Sequence, residues 1–260
     1  MNNVYGSTPK ERELILRKEK ISRCIGMGKY ISAFFKIMIA GLIFGLITVV
    51  LSAVLFGGIN SANSASTMTL SGNTDGMMGD TSGLDGYKVF LIVVEAVALI
   101  LNFAGAYFII KMNKYFDGFR SAGLFYIAQG VLSFIMVLTS DGLYLFLQTL
   151  SAIMSVVYML NFAVAMSKAL EPTDSYLSDE WIKFKKIFLY LLIGMFACLG
   201  ICILPGLAVL GFIGILVICM AYLALSIWYI VLVYKSADSM KVVGKREADI
   251  LAEEEKTALA

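Results

Sequence analysis

Histidine is absent from the 260 residues, and charge is scarce: Asp, Glu, Lys and Arg together make up 15% of the chain. The first absence excludes histidine-based general acid–base catalysis, Ser-His triads, histidine metal ligation and phosphohistidine relays. Intramembrane metalloproteases, rhomboid-type serine proteases and histidine-dependent lipid phosphatases go with them. The second absence excludes an ordinary water-soluble domain, which has about 25% charged and roughly 45 to 50% apolar residues. Here 59% of residues are hydrophobic and the mean hydropathy is +0.83. So few charges cannot cover the surface that so many apolar side chains would make, and the chain belongs in a bilayer.

The remaining chemistry is thin. Of the four cysteines, Cys24 precedes the apolar runs, while Cys198, Cys202 and Cys219 fall within them. Without histidine or nearby acids they make no metal site, and they read as small hydrophobes. Arg23-Cys24-Ile25-Gly26-Met27-Gly28-Lys29-Tyr30 imitates the end of a phosphate loop, but Arg23 replaces its first glycine and Tyr30 its hydroxyl. Asp117-Gly118-Phe119-Arg120 resembles the opening of the CDP-alcohol phosphotransferase motif, yet no acid follows until Asp141. Neither supports its chemistry, and no catalytic set, cofactor site, metal site or nucleic-acid surface is expected.

Five stretches are almost free of charge: 37–58, 89–110, 121–140, 142–167 and 187–234. About 20 helical residues cross a hydrocarbon core of about 30 Å, so the first four are one span each. The fifth is more than twice too long, and Ile203-Leu204-Pro205-Gly206 divides it, combining a residue without an N–H with one of free backbone conformation. It reads as two spans, 187–204 and 207–234. The expected fold is all-α: a polytopic membrane protein of six transmembrane helices in three hairpins, occupying 30–234.

Orientation follows from the cations, which concentrate on the cytoplasmic side. With both termini inside, the only one of the 21 Lys and Arg residues left outside is Lys88. The expected location is therefore the cytoplasmic membrane, with residues 1–29 and 235–260 both cytoplasmic. Loop 59–86, rich in Ser, Asn, Gly and Thr, is expected to be a flexible outer loop, because it has too little apolar surface to offset its ordering entropy. Its Asp75, Asp80 and Asp85 lack the spacing of a calcium loop.

Thr8-Pro9-Lys10-Glu11 has the form of a capping box, and Leu14, Ile21 and Ile25 recur on one helix face, with Glu13–Arg17 and Glu19–Arg23 spaced for i,i+4 pairs. This predicts a short basic amphipathic helix, lying on the inner membrane surface or solvated as a leader, that ends at Gly26 and Gly28. Segment 171–186 predicts a second inner helix capped by Ser178, with Trp181 and Phe184 in the interface and Lys183, Lys185 and Lys186 at headgroups. It serves as a membrane anchor or as a docking surface for a cytoplasmic partner. Leu101-Asn102-Phe103-Ala104 recurs as Leu160-Asn161-Phe162-Ala163, a weak sign of duplication among the hairpins.

Glu95 is the single ionisable residue well inside a span, where a carboxylate must be protonated, paired or hydrated. Ala98, Asn102 and Gly105 extend its helix face with small and polar residues, which predicts a face turned into the bundle. Gln129 and Gln148 are the other candidates for an intramembrane polar site. In one reading Glu95 is a neutral acid bonded to Gln148 or a backbone carbonyl; in the other it titrates in a water-filled path. Gly41 and Gly45 form a GxxxG motif, and Gly211 with Gly214 a smaller cleft, both for close helix packing within the chain or between copies.

These features predict a non-enzymatic transport or membrane-complex subunit of permease-like layout. The alternative is a structural or regulatory membrane scaffold without a solute path. The expected partners are the lipid bilayer and, at the inner face, a cytoplasmic partner or an ATPase subunit.

Overall fold

The computed structural model describes residues 9–66, 82–139, 141–204 and 206–259. They form six helices and, among the described residues, no strand: α1 (Pro9–Ser66), α2 (Ser82–Met112), α3 (Phe119–Leu138), α4 (Asp141–Leu170), α5 (Ser175–Cys202) and α6 (Ala208–Leu259). Each of the six carries an apolar window long enough to cross a membrane. A multi-pass all-α membrane protein is what this architecture supports.

Five of the six helices are longer than the apolar runs that announce them, and α3 matches its run in length. The 58 residues of α1 and 52 of α6 rise about 87 and 78 Å at 1.5 Å per residue, against a hydrocarbon core of about 30 Å. The expected break at Gly26 and Gly28 is corrected: α1 runs through both glycines unbroken. Helix also covers 59–66 and 82–86, the two ends of the expected outer loop; the rest of that loop, with Asp75 and Asp80, lies outside the described residues, as do Thr8 and Pro205. Between α5 and α6 the expected tight turn is present, with Gly206 at φ +83°, a left-handed conformation that glycine adopts without steric cost.

The chain forms two compact units. The first comprises residues through Phe35, Tyr107–Leu124 and from Val156 onward. Its core is the seam between α5 and α6, where Leu177, Trp181, Phe184 and Phe188 on α5 meet Tyr222, Leu225, Tyr229, Leu232 and Ser236 on α6. Both series alternate steps of three and four, the spacing that keeps one stripe of a helix against its neighbour. Trp181 is fully buried, with Phe162, Phe184 and Tyr229 ring centroids at 5.7, 5.7 and 5.8 Å in edge-to-face geometry. Such ring pairs add about 0.5–1.5 kcal/mol each beyond their area. The interfacial helix expected at 171–186 is thereby corrected: these residues continue into α5, and Trp181 and Phe184 are core. Asp174, and not Ser178, caps the helix by accepting from the Leu177 N–H at 3.1 Å.

A second seam joins the chain ends. Gly28 of α1 faces Ala237 and Lys241 of α6, and Cys24 and Ile25 face Gly244; Leu14, Ile21 and Ile31 continue the α1 stripe in heptad steps, and the helices run antiparallel. Arg17 pairs with Glu254 at 2.7 Å, Lys18 with Glu255 at 3.0 Å and Lys20 with Glu247 at 3.3 Å. Gly28 is where it is because an added Cβ would lie 3.0 Å from Lys241 Cγ and 3.2 Å from the Lys241 backbone nitrogen. Close approach, not helix termination, explains this glycine. The expected Glu19–Arg23 pair forms at 2.6 Å, whereas Arg17 reaches Glu254 across the seam in place of Glu13 on its own helix. The leader helix is half of an antiparallel clasp.

The second unit comprises Lys36–Ala106 and Phe125–Ser155. Its helices are largely exposed along their apolar windows, the face that lipid covers in a membrane.

Candidate functional site

The four candidates Glu95, Asn102, Gln129 and Gln148 lie in the second unit, on α2, α3 and α4. Seven residues separate Glu95 from Asn102 on α2, two helical turns, so both occupy one face. Asn102 is the contact point of that face with α3: a Cβ added to Gly130 would lie 2.8 Å from Asn102 Nδ2 and 3.0 Å from its Cβ. Gly130 and Gly105 are buried, so absent side chains on α3 and small ones on α2 let the two helices approach and seat the amide between them. Gln129, next to Gly130, is half-buried at the same level.

Glu95 lies about 10 Å along α2 from this crossing, at 1.5 Å rise per residue. It is half-buried and makes no hydrogen bond or ion pair with another described residue. Gln148 is exposed on α4. The hydrogen bond between Glu95 and Gln148 weighed from the sequence is therefore corrected, because Gln148 faces outward. The structure brings Asn102 to the α3 crossing beside Gln129 and leaves Glu95 and Gln148 apart from it. Among the described residues no group of three or more Cys, Asp or Glu side chains converges.

The glycine motifs divide in the same way. Gly211 sits against Cys202 and the Cys198 carbonyl, and Gly214 against Cys198 Sγ, each within 2.9 Å of an added Cβ. The two α5 thiols thus fill the notch that these α6 glycines leave, as small hydrophobes do. A Cβ added to Gly41 or Gly45 would meet nothing within 4 Å, so at these two glycines α1 touches no other helix among the described residues. The two Leu-Asn-Phe-Ala segments also differ in environment. Asn161 donates to the Val157 carbonyl of its own helix at 2.8 Å and Phe162 is fully buried, whereas Phe103 is 46% exposed.

In the first unit several polar devices escaped the sequence reading. Tyr158 and Tyr229 share a buried hydroxyl–hydroxyl hydrogen bond of 2.8 Å. Trp181 Nε1 donates to Ser236 Oγ at 3.0 Å, and Ser236 donates in turn to the Leu232 carbonyl. The free oxygen of the Asp174 cap accepts from Ser239 Oγ at 2.7 Å, tying the α4–α5 turn to α6. Asn113 Oδ1 accepts from the Gly118 and Arg120 backbone N–H groups, both at 3.1 Å, and so closes the α2–α3 turn. Gly118, at φ +105°, supplies the left-handed step of that turn. The phosphotransferase-like Asp117-Gly118-Phe119-Arg120 is thus a turn and the first residues of α3. The heptad spacing of Tyr222, Tyr229 and Ser236 was the signal that would have found the α6 partners.

Charge in this unit is shaped by the clasp. The Glu254 carboxylate makes the Arg17 guanidinium hold its proton more tightly, first through their hydrogen bond and then by Coulomb attraction. Burial pushes the Cys24 thiol up, with Lys20 opposing. Both groups precede residue 37, where the apolar run of α1 begins. A thiol so shifted is less nucleophilic at neutral pH than an ordinary cysteine.

No family model, curated protein or solved structure matches the chain.

Proposed function

We propose that this protein is a non-enzymatic transport or membrane-complex subunit of permease-like layout. The observation that carries the reading is Glu95: a half-buried carboxylate in an apolar run, with no partner among the described residues, on the face that Asn102 continues to the α3 crossing. An acid in that position needs a proton, a cation or water, which are the species a transporter handles. Asn102 and Gln129 supply neutral amides further along the same route. The cation distribution supports a cytoplasmic-membrane location with both termini inside and the spans arranged as three hairpins.

The test is uptake into proteoliposomes, with and without a co-expressed ATPase, together with proton or cation flux for wild type and Glu95→Gln. The expected result is coupled flux that the variant loses. Flux that persists unchanged in Glu95→Gln would remove the carboxylate from any path.

The clasp between α1 and α6 favours a second reading, a structural or regulatory membrane scaffold. Two helices that extend about 40 Å beyond their apolar runs and pair through Arg17, Lys18 and Lys20 form a platform for a cytoplasmic partner. Capture of a defined partner by the clasp, with no flux in vesicles, would favour this reading over the first.

A further inference from the structure

The cations of the first unit differ in their partners. Three on the clasp are neutralised by protein carboxylates: Arg17, Lys18 and Lys20 each pair with a glutamate of α6. Those of the α2–α3 turn are not. Lys111, Lys114 and Arg120 are exposed and none makes an ion pair with a described residue. Asp117, exposed in the same turn, also makes none.

The depth and rigidity of this turn are set by the chain. The apolar run of α2 ends at Ile110 and that of α3 begins at Ser121, so the turn emerges where hydrocarbon gives way to headgroups. Asn113 Oδ1 and the left-handed Gly118 fix its backbone. Tyr115 packs over Gly26 of α1, where an added Cβ would meet its ring and hydroxyl. Lys111 Nζ lies 5.3 Å from the Tyr107 ring centroid and Lys114 Nζ 5.9 Å from that of Tyr115. Tyrosine rings with lysine ammonium groups beside them suit the headgroup level of a bilayer, and an arginine guanidinium offers a fork for two phosphate oxygens.

We propose that the α2–α3 turn binds the headgroup phosphate of an anionic phospholipid through Lys111, Lys114 and Arg120. Charge complementarity selects the lipid, since no carboxylate of the described residues satisfies these cations and the adjoining apolar runs hold them at headgroup depth. The site does not depend on a solute path.

The test measures the association of spin-labelled phosphatidylglycerol relative to phosphatidylcholine with the full-length protein in vesicles. Wild type is compared with Lys111→Gln/Lys114→Gln/Arg120→Gln and with Arg17→Gln/Lys18→Gln/Lys20→Gln, which removes the same charge from the clasp. A cation at the membrane surface contributes about a fivefold preference for anionic lipid, so the turn variant is expected to lose at least that factor while the clasp variant retains it. Equal loss in both variants would show an effect of net charge alone and overturn the site, as would no loss in the turn variant. Inorganic phosphate at millimolar concentration that abolished the wild-type preference would identify a soluble anion as the ligand and overturn the lipid assignment. Should the triple variant not fold, Lys114→Gln alone is expected to lose part of the preference, and unchanged preference there would count against the proposal.

Discussion

Replacing Trp181 by alanine removes the largest side chain of the aromatic core. Three effects add: the ring leaves a cavity, the edge-to-face contacts with Phe162, Phe184 and Tyr229 disappear, and Ser236 Oγ loses its donor at 3.0 Å. Large-to-small changes of a fully buried tryptophan cost about 3–5 kcal/mol. Trp181→Phe keeps most of the ring volume and gives up the hydrogen bond, for which about 1–3 kcal/mol is expected. An interfacial tryptophan, the role that the basic and aromatic sequence of 171–186 suggests, would lose far less, under about 1 kcal/mol. Equilibrium unfolding in mixed micelles with increasing dodecyl sulfate separates these outcomes. The chain has two tryptophans, so a Trp228→Phe background reports Trp181 alone; its emission is expected to resist both aqueous acrylamide and brominated lipid. A cost below about 1 kcal/mol for Trp181→Ala, or strong quenching by brominated lipid, would refute the buried-core assignment.

Gly28→Leu is expected to cost about 1–3 kcal/mol by overpacking the seam with α6 and to weaken disulfide cross-linking between cysteines introduced at Lys20 and Glu247. Gly41→Leu, with nothing within 4 Å, is expected to leave the melting temperature of the isolated chain unchanged. Asn113→Ala leaves two backbone N–H groups without their acceptor and is expected to destabilise by about 1–2 kcal/mol, seen as faster hydrogen exchange at Gly118 and Arg120. Arg17→Glu is expected to lower clasp cross-linking at low salt, and Glu254→Arg added to it to restore cross-linking. The difference should fade at molar salt, because both side chains are solvent-exposed and screened.

The membrane-crossing segments were legible because apolar content and length suffice to mark a span, whatever it packs against. Each of the six runs falls on one helix, 37–58, 89–110 and 142–167 wholly within it and the other three overrunning a helix end, and the division at Ile203 to Gly206 followed from local backbone chemistry. Helix ends were less legible. Hydropathy stops marking a helix where it leaves lipid, so the clasp halves of α1 and α6 read as a separate leader and a tail. Their seam alternates steps of three and four, but it includes Gly28, Gly244, Cys24 and Arg17 and does not stand out as an apolar stripe. Gly26 and Gly28 were ambiguous in principle, since glycine both ends helices and permits close approach; only the neighbours Tyr115 and Lys241 decide. Trp181 and Phe184 misled for a related reason: aromatic residues beside lysines suit a bilayer edge and a protein core equally well. For the polar site, helix periodicity placed Glu95 and Asn102 on one face, but no sequence rule fixed the rotation of α4 that turns Gln148 outward.

The proposed topology has six membrane crossings with both chain ends at one side. Single cysteines on a background without the four native ones, labelled by an impermeant maleimide in sealed, oriented vesicles, test it most directly. Positions in 113–118 and 171–174, with residues near both ends, are expected to react from one side, and Lys88 and the α5–α6 turn from the other. Labelling of residues near Arg17 and Glu254 from opposite sides would contradict the clasp and the six-crossing topology together.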